Sequence, residues 1–271
     1  MKKFLLICTL SFLFFWANVF AGTPRESKHI SECKEHVPYG IPDVKKMDVS
    51  RICREGYALE HDNKAKIPVW VSYTLTSKRV FGCAKRTNDF DPEISFPPFI
   101  RAEVSDYAKS GYDIGHMAGN ADMRWSPQVE IESNVLSNAA PQLPALNRGP
   151  WKQLEELVRV WAVERNTPLL IHVGPIYNRK SSNTIGRGRV VVPDAFFKVV
   201  IDQKNNQVLS FIYPAGATAG DPSQFVTDFY EVQRRTGIQF ALPKQPAFST
   251  QVWPNNSKSI STIKTASCKV Q

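Results

Sequence analysis

Residues 189–216 read RVVVPDAFFKVVIDQKNNQVLSFIYPAG, and two runs within this stretch are rich in β-branched and aromatic residues. Turn-forming Asn, Gly and Pro bound the runs, as is typical of β-strands. A third run of the same kind, PLLIHVGPIY, occupies residues 168–177. This half of the chain therefore predicts three strands.

The segment YALEHDNKAKIPVWVSYTLTS, residues 57–77, predicts a β-hairpin. Two extended runs surround a polar Asp62-Asn63 turn, and Val69, Val71 and Tyr73 keep the period-2 alternation of a half-buried strand. Residues 81–106 contain three prolines and little periodicity. They predict a loop with short ordered pieces.

Two helices are predicted among these strands. Behind Pro150, apolar residues recur at helical spacing for about four turns. The segment DPSQFVTDFYEVQRRTG, residues 221–237, predicts a second helix with Asp221 as N-cap, Pro222 at its first position and Gly237 just past its end. Strands on both sides of a central helix, with long loops, predict an α+β fold built on a mostly antiparallel central sheet flanked by helices.

The amino terminus has the features of a secretory signal peptide. Lys2 and Lys3 precede an apolar run that ends in small residues near Ala21, so we expect residues 1–21 to be removed and the protein to be secreted or periplasmic. The apolar run is short for a membrane span, which needs roughly 20 residues. We expect no membrane association after cleavage. Residues 22–271 predict a single domain, with an irregular, cysteine-containing arm over about 22–55 and a loosely structured tail from residue 243.

Charge and cysteine content narrow the class of protein. The chain has a net charge of +9, and removal of residues 1–21 leaves 32 basic and 25 acidic residues. This excess favours polyanionic partners such as nucleic acid. Four cysteines remain, and an even number in an exported chain predicts two disulfides with three pairings open; they are Cys33, Cys53, Cys83 and Cys268. Zinc-ligand spacing is missing, which argues against a zinc finger or a zincin.

A polar stretch in the middle of the chain contains a candidate catalytic base. SGYDIGHMAGNADMRW, residues 110–125, places His116 directly behind Asp-Ile-Gly. An imidazole can take a proton near neutral pH and is held in one tautomer when its second nitrogen meets an acceptor. Asp113 and nearby carbonyl groups are possible acceptors. The alternative is an ordinary loop histidine, because short motifs often match by accident.

The next cluster, NVLSNAAPQLPALNRGPWKQLEEL, covers residues 134–157 and is rich in amides. Amide oxygens suit a hard cation such as Mg²⁺, which keeps several of its waters. Asn and Gln before a helix also serve as turn formers and caps, so that role stays open. If one helix begins near Leu146, Asn147 and Glu155 lie on the same side of it.

Read in order, these segments resemble the DNA/RNA non-specific endonuclease family, the ββα-metal nucleases that include the endonuclease G branch. The family shows Asp-Arg-Gly-His, then Leu-Ser-Asn with Pro-Gln, then Leu-Asn, a Trp and Leu-Glu. Here the same order occurs as DIGHM, VLSNAAPQ, ALNRGPW and KQLEEL. The resemblance continues through HVGPIY, VVVPDAFFKVV and RRTGIQF, so it covers roughly residues 57–242. It implies a ββα-metal active-site core.

The resemblance also implies a role for each motif residue. His116 would be the general base that deprotonates a water, and Asn147 the sole direct protein ligand of Mg²⁺, with Mn²⁺ possible. Glu155 would orient metal-bound waters, and Asn134 would polarise the phosphate or position the histidine. DNA and RNA would be the substrates and 5′-phosphates the products. The family also implies a phosphate-contacting cation, for which Arg86 in KRTNDF is the first candidate.

One position departs from the family pattern. Ile114 stands where the family usually has an arginine, and an aliphatic side chain cannot imitate a bidentate guanidinium. Either another cation compensates, or the protein binds nucleic acid without cleaving it; a phosphodiesterase for another ester is a third reading. We expect substrate contacts from Asp113, Arg124 and Arg148, and further candidate cations are Arg79, Arg187 and Arg189. The sequence predicts no oligomeric state.

Overall fold

The computed structural model describes residues 32–45, 47–178, 180 and 182–255. Fourteen strands occur in these ranges: β1 (Asp43–Val44), β2 (Val49–Cys53), β3 (Ala58–Asp62), β4 (Ile67–Leu75), β5 (Asp113–His116), β6 (Ala139–Gln142), β7 (Leu169–Ile176), β8 (Thr184–Ile185), β9 (Val190–Val191), β10 (Ala195–Asp202), β11 (Gln207–Pro214), β12 (Val226–Thr227), β13 (Ile238–Gln239) and β14 (Ala247–Ser249). The helices there are α1 (Ser77–Val80), α2 (Val104–Tyr107), α3 (Asn120–Met123), α4 (Pro127–Ser133), α5 (Pro144–Arg148), α6 (Pro150–Glu164) and α7 (Phe229–Thr236).

An eight-stranded sheet forms the body of the protein. Its strands lie in the order β12-β11-β10-β7-β4-β3-β2, and β14 pairs in parallel with the outer side of β11. Every other pairing in this sheet is antiparallel. The predicted β-rich runs are β7, β10 and β11, and the predicted hairpin is β3 and β4. The predicted α+β fold with a mostly antiparallel central sheet is confirmed.

The sheet is covered on both faces, because neighbouring residues of a strand point to opposite sides. Phe196 of β10 packs against Trp151 of α6, with ring centroids 5.7 Å apart. Phe197, the next residue, packs on the other face against Phe240, with ring centroids 5.6 Å apart. Helix α6 buries the apolar stripe that its sequence predicts, including Leu154, on the first face. The candidate active site lies on that face of the sheet.

The amino-terminal arm is more regular than its sequence predicts. Residues Val49–Cys53 form the edge strand β2, which pairs with β3. A disulfide joins Cys33 to Cys53, the last residue of that strand. Cys268 lies outside the described residues, so the second disulfide stays a prediction. The bridge attaches the arm to the sheet at its edge.

Two expectations for the carboxy-terminal part need correction. Asp221 caps only the 3₁₀ turn Pro222–Phe225, and the helix begins later, with Asp228 as its N-cap. The cause is tertiary, because β12 intervenes to pair with β11 and Phe225 stacks on Tyr213 at 3.9 Å. The helix does end at the predicted glycine, Gly237, which has a φ of 73°. The tail contains β14, and its Trp253 is buried against α6.

The predicted signal peptide, residues 1–21, lies outside the described residues. Among the residues that the structure describes, no helix combines the length and the apolar character needed to cross a membrane.

Candidate active site

The site is built from a small two-stranded sheet and the helices that follow it. Strand β5 pairs antiparallel with β6, so that Asp113 faces Gln142 and His116 faces Ala139. The chain then enters α5 and α6, which gives a β-β-α arrangement on the α6 face of the main sheet. A cleft of about 760 Å³ opens between these elements and the loop before α2. Its lining includes Arg86, Asp113, Ile114, His116, Asn147, Arg148 and Glu155.

Gly149 separates Asn147 and Glu155 into two helices, which corrects the expectation of one continuous helix. Its backbone angles, φ −108° and ψ −114°, end α5 and begin α6. A Cβ at this position would lie 2.5 Å from the carbonyl oxygen of Ala145, so a side chain does not fit without a shift. Asn147 therefore lies on the short helix and Glu155 on the long one, and both still line the same cleft.

His116 is held by Asn134, the residue that ends α4. The distance between His116 Nε2 and Asn134 Oδ1 is 2.9 Å. The imidazole ring also packs against Phe90, with ring centroids 5.0 Å apart. The ring therefore has a fixed orientation at the cleft wall.

A buried carboxylate determines which way the Asn134 amide points. Asn134 Nδ2 donates to Glu130 Oε1 at 3.3 Å and to Thr87 Oγ1 at 2.9 Å. Glu130 also accepts from Asn120 Nδ2 at 2.8 Å and from the backbone N–H of Thr87 at 2.7 Å. Because a backbone N–H and an amide NH₂ can only donate, Glu130 Oε1 is an acceptor, and the Asn134 NH₂ group faces it. The amide oxygen then faces His116 and accepts from Nε2–H, which leaves Nδ1 with the free lone pair.

The electrostatic surroundings keep His116 neutral. Burial lowers the pKa of His116 from 6.5 to about 4; the hydrogen bond with Asn134 opposes this shift, and the positive charge of Arg86 adds to it. At neutral pH the ring therefore carries one proton and has a nitrogen free to accept another.

Asp113 holds the candidate metal ligand Asn147 and the neighbouring residue Arg148. Its Oδ2 accepts from Asn147 Nδ2 at 2.9 Å. Its two oxygens also bind the guanidinium of Arg148, at 2.9 Å from Nε and 2.6 Å from Nη2. Partial burial acts to raise the pKa of Asp113, but the hydrogen bonds from Arg148 and Asn147 outweigh it and keep the pKa below its usual value. Asp113 is thus an ionised anchor for both side chains.

Glu155 projects from α6 to the floor of the cleft, where its side chain is 16% exposed. A Cβ at Gly119 would lie 3.1 Å from its Oε1, so the loop after β5 passes close over the carboxylate. Burial raises the pKa of Glu155, and the nearby ammonium of Lys198 opposes that rise. Lys198 Nζ lies 3.9 Å from Glu155 Oε1.

The oxygen atoms available in the cleft suit a divalent cation that keeps most of its water molecules, rather than one enclosed by protein ligands. Within the described ranges, no group of three or more His, Cys, Asp or Glu residues has a metal-binding arrangement. Asn147 uses its amide nitrogen for Asp113, which leaves the oxygen for a cation. The Glu155 carboxylate lines the same cleft. One amide oxygen and one carboxylate suit a hard divalent cation that retains several of its waters.

The structure divides the candidate cations into two groups. Arg86 and Arg148, both predicted from the sequence, are exposed and line the cleft. Lys152, which the sequence does not single out, is exposed and lines it as well. Arg124 does not line the cleft, because its Nε donates to the carbonyl oxygen of Ala84 at 2.5 Å. This contact ties Arg124 to the loop that carries Arg86, and its predicted substrate contact stays a prediction.

The other three candidate arginines, Arg79, Arg187 and Arg189, also lie outside the cleft lining. Arg79 pairs with Glu35 at 2.7 Å and covers the ring of Trp125. Arg187 and Arg189 are exposed in the turn between β8 and β9. None of the three compensates directly for Ile114, which itself lies on the cleft wall.

Comparison with known proteins assigns this arrangement to a family. A model of the DNA/RNA non-specific endonuclease family matches residues 41–247, which is most of the chain. The chain belongs to this family. Like the other DNA/RNA non-specific endonucleases, it is a nuclease, and a metal requirement is consistent with the family.

Individual endonuclease relatives support the assignment. Human mitochondrial endonuclease G is 29% identical over 221 residues, which cover 76% of this chain and 73% of that protein. Mitochondrial nuclease EXOG from Danio rerio is 32% identical over 209 residues, covering 70% of this chain and 60% of that protein. A chain of the crystallised EndoG/EndoGI complex superposes with a TM-score of 0.71 at 27% identity, covering 79% of this chain and 94% of its own length.

Proposed function

We propose that this endonuclease hydrolyses phosphodiester bonds of DNA and RNA with His116 as general base and with a divalent cation, Mg²⁺ or Mn²⁺, held at Asn147. The observation that carries the proposal is that His116 and Asn147 line one cleft. Asp113, which holds Asn147, is three residues from His116 on β5, a Cα span of about 10 Å. In this proposal a phosphate lies between His116 and Asn147 and contacts both groups.

His116 takes the proton of the attacking water in this proposal. The nitrogen that does so is Nδ1, because Nε2–H is occupied by Asn134. After the transfer the imidazolium keeps its hydrogen bond to Asn134, which opposes the cost of charging a partly buried ring. Asn134 acts through the histidine and is a positioning residue.

The cation would be held by the amide oxygen of Asn147 and, through water molecules, by the carboxylate of Glu155. When bound, it supplies positive charge that neutralises the phosphate and stabilises the leaving 3′ oxygen. Release of that oxygen gives products with 5′-phosphates. Asp113 keeps the Asn147 amide turned so that its oxygen remains available.

Arg86 and Lys152 supply the phosphate contacts that Ile114 cannot make. Both are exposed cations in the lining of the cleft, and within the described residues neither forms an ion pair with a carboxylate. Arg148 contributes positive charge while it stays bound to Asp113. Contacts of this kind address phosphates rather than base edges, which explains action on both DNA and RNA.

The competing function is binding without cleavage, which Ile114 favours. Digestion of plasmid DNA and of a structured RNA, with Mg²⁺ and with EDTA, separates the two. We expect cleavage of both substrates with Mg²⁺, none with EDTA, and ligatable 5′-phosphate ends. Intact substrates under every divalent ion, with salt-sensitive binding retained, would establish the binder instead.

Export is the final part of the proposal. Residues 1–21 direct the protein out of the cytoplasm, and the Cys33–Cys53 disulfide is compatible with an oxidising compartment. The named relatives from human and Danio rerio are mitochondrial. Fractionation of the producing cells, with amino-terminal sequencing of the mature protein, tests whether cleavage follows residue 21.

A further inference from the structure

Lys198 is a buried lysine in the middle of an apolar strand. It lies in β10, within the segment AFFKVV, and its side chain has no exposed surface. Its neighbours on the same face, Phe196 and Val200, belong to the core under α6. No described residue accepts a hydrogen bond from its Nζ. An ammonium in such a place is strongly unfavourable unless a negative charge lies close by.

Glu155 is the carboxylate that supplies this charge. Its Oε1 lies 3.9 Å from Lys198 Nζ, the one salt bridge that either side chain forms among the described residues. The ammonium also lies 4.7 Å from the centroid of the Trp151 ring, one helical turn before Glu155 on α6. The lysine is therefore enclosed by the helix that carries the catalytic-site carboxylate.

The other nearby carboxylate is already engaged. Asp122 Oδ1 accepts from Arg159 Nη1 at 2.9 Å, and its Oδ2 accepts from the Tyr73 hydroxyl at 2.7 Å. Burial lowers the pKa of Lys198, and the charges of Glu155 and Asp122 oppose that shift, with Glu155 the larger of the two. Glu155 is thus the group through which Lys198 can act on the cleft.

We propose that Lys198 is a positioning residue of the nuclease site, whose buried ammonium group holds the Glu155 carboxylate in place and directed toward the cation held at Asn147. The lysine lies behind Glu155 and does not line the cleft, so it touches neither phosphate nor cation. This role rests on the proposed function of Glu155. The pairing itself is independent of that function and can be tested without it.

The test uses four variants of the full mature protein: Lys198→Met, Glu155→Gln, the double variant, and Val200→Ala as control. Val200→Ala disturbs the same face of β10 without removing a charge. We expect Lys198→Met to lower kcat by about tenfold or more and to raise the half-saturating Mg²⁺ concentration by a similar factor, as loss of a supporting partner does. KM for plasmid DNA should change by less than about twofold. Val200→Ala should leave both kcat and Mg²⁺ dependence within about twofold of the wild type, since it removes only a methyl-bearing core contact.

Urea unfolding in EDTA provides the readout that does not depend on activity. Removing Lys198 alone leaves a partly buried carboxylate without its partner, so Lys198→Met should lower the unfolding midpoint more in the wild-type background than in the Glu155→Gln background. If Lys198→Met does not fold while the double variant does, the pairing is supported equally. Equal losses of stability in both backgrounds overturn it.

The outcomes separate this proposal from the proposed function. If the wild type cleaves DNA and Lys198→Met matches Val200→Ala in kcat and Mg²⁺ dependence, the positioning role is wrong while the nuclease function stands. If the wild type cleaves nothing, the proposed function and the catalytic role of Lys198 both fail. The unfolding experiment then still decides whether Lys198 and Glu155 form a coupled pair.

Discussion

Asn134 Oδ1 lies 2.9 Å from His116 Nε2, and the amide that carries this oxygen is oriented from its other end by Glu130. The tautomer of the candidate base is therefore set by a carboxylate that does not touch the imidazole. Glu130 is 1% exposed, and none of the described residues pairs with it as a cation. Its hydrogen bonds come from neutral donors on three segments of the chain.

Replacing Glu130 by Gln tests this relationship. A glutamine can donate as well as accept, so the Asn134 amide is free to reverse and His116 loses its fixed tautomer. We expect kcat to fall by about tenfold, less than the roughly 10²- to 10⁴-fold of a full general-base contribution because part of the population keeps the correct tautomer, with little change in KM. Imidazole ¹⁵N shifts of His116 should change from the Nε2–H form to a mixture.

Glu132→Gln is the matched control for that variant. Glu132 is a second buried carboxylate of α4, and its Oε1 accepts from Gln128 rather than from a residue that contacts His116. Unchanged ¹⁵N shifts and kcat are expected. If both variants lose activity to the same extent, the effect comes from helix stability and not from the tautomer.

Asp113→Asn tests the anchor of the candidate metal residue. The change removes the charge that binds Arg148 in a bidentate manner and weakens the acceptor for Asn147 Nδ2. Supporting partners of metal ligands typically contribute about 10- to 100-fold in affinity, so the half-saturating Mg²⁺ concentration should rise by about tenfold or more. Titration of cleavage rate against Mg²⁺ measures it.

Arg148→Gln distinguishes the two partners of Asp113 in that experiment. This variant leaves the bond from Asn147 intact, so its Mg²⁺ dependence should remain near that of the wild type. An equal rise in both variants would mean that Asp113 acts through Arg148 and the charge of the cleft.

Arg86→Gln tests the cation proposed to replace the family arginine. Arg86 is exposed, and an exposed ion pair contributes about 1 kcal/mol or less, which is up to about fivefold in KM for DNA. Loss of one phosphate contact should also lower the slope of log affinity against log salt by about 1. Lys85→Gln, an exposed neighbour outside the cleft lining, should change neither. A smaller effect for Arg86→Gln than for Lys85→Gln would remove Arg86 from the site.

The pH dependence of cleavage follows from His116, the partly buried candidate base. Because burial lowers the pKa of His116 to about 4, the base stays unprotonated down to that pH. The acid limb of kcat/KM, which reports groups of the free enzyme, should therefore have its midpoint near pH 4 and not near the ordinary value of 6.5. Rates on a short fluorescent duplex over pH 3.5–7.5 measure this limb, and circular dichroism at each pH identifies unfolding.

Stability should fall over the same interval. Three buried histidines and the partly buried His116 have a lowered pKa in the folded protein, about 4 for His36, His61 and His116 and about 3 for His172. Below pH 6.5 the unfolded chain binds protons at these positions before the folded protein does, so acid favours unfolding. The free energy of unfolding should be constant with respect to these groups above pH 6.5 and decrease toward pH 4.

The sequence predicts the sheet and the long helix well because their signals are local. The runs that become β7, β10 and β11 and the apolar stripe of α6 are complete within each element. The helix predicted from Asp221 fails because pairing of β12 with β11 overrides a good cap. The helix breaks at Gly149, where the backbone packs so closely on the preceding turn that a side chain does not fit. The Gly-Pro pair at that point is a sequence signal for such a break.

The residues of the candidate site can be predicted from the sequence, but the residues that position them cannot. Spacing and family resemblance single out His116, Asn147 and Glu155, and the fold brings them to one cleft. Glu130 has no periodic or motif signal, because its role depends on contacts from residues distant in sequence. Lys198 does have a sequence signal, because it is a single basic residue inside an otherwise apolar run. Its partner on α6 is visible only in the folded chain.

Cleavage of plasmid DNA by His116→Ala in saturating Mg²⁺ tests the central claim most directly. General-base catalysis contributes roughly 10²- to 10⁴-fold, so kcat should fall by at least about two orders of magnitude. Thermal unfolding and binding of a non-hydrolysable oligonucleotide should stay near the wild-type values. A folded His116→Ala protein that cleaves within about threefold of the wild-type rate would contradict the account, because no base with this contribution would then reside at His116.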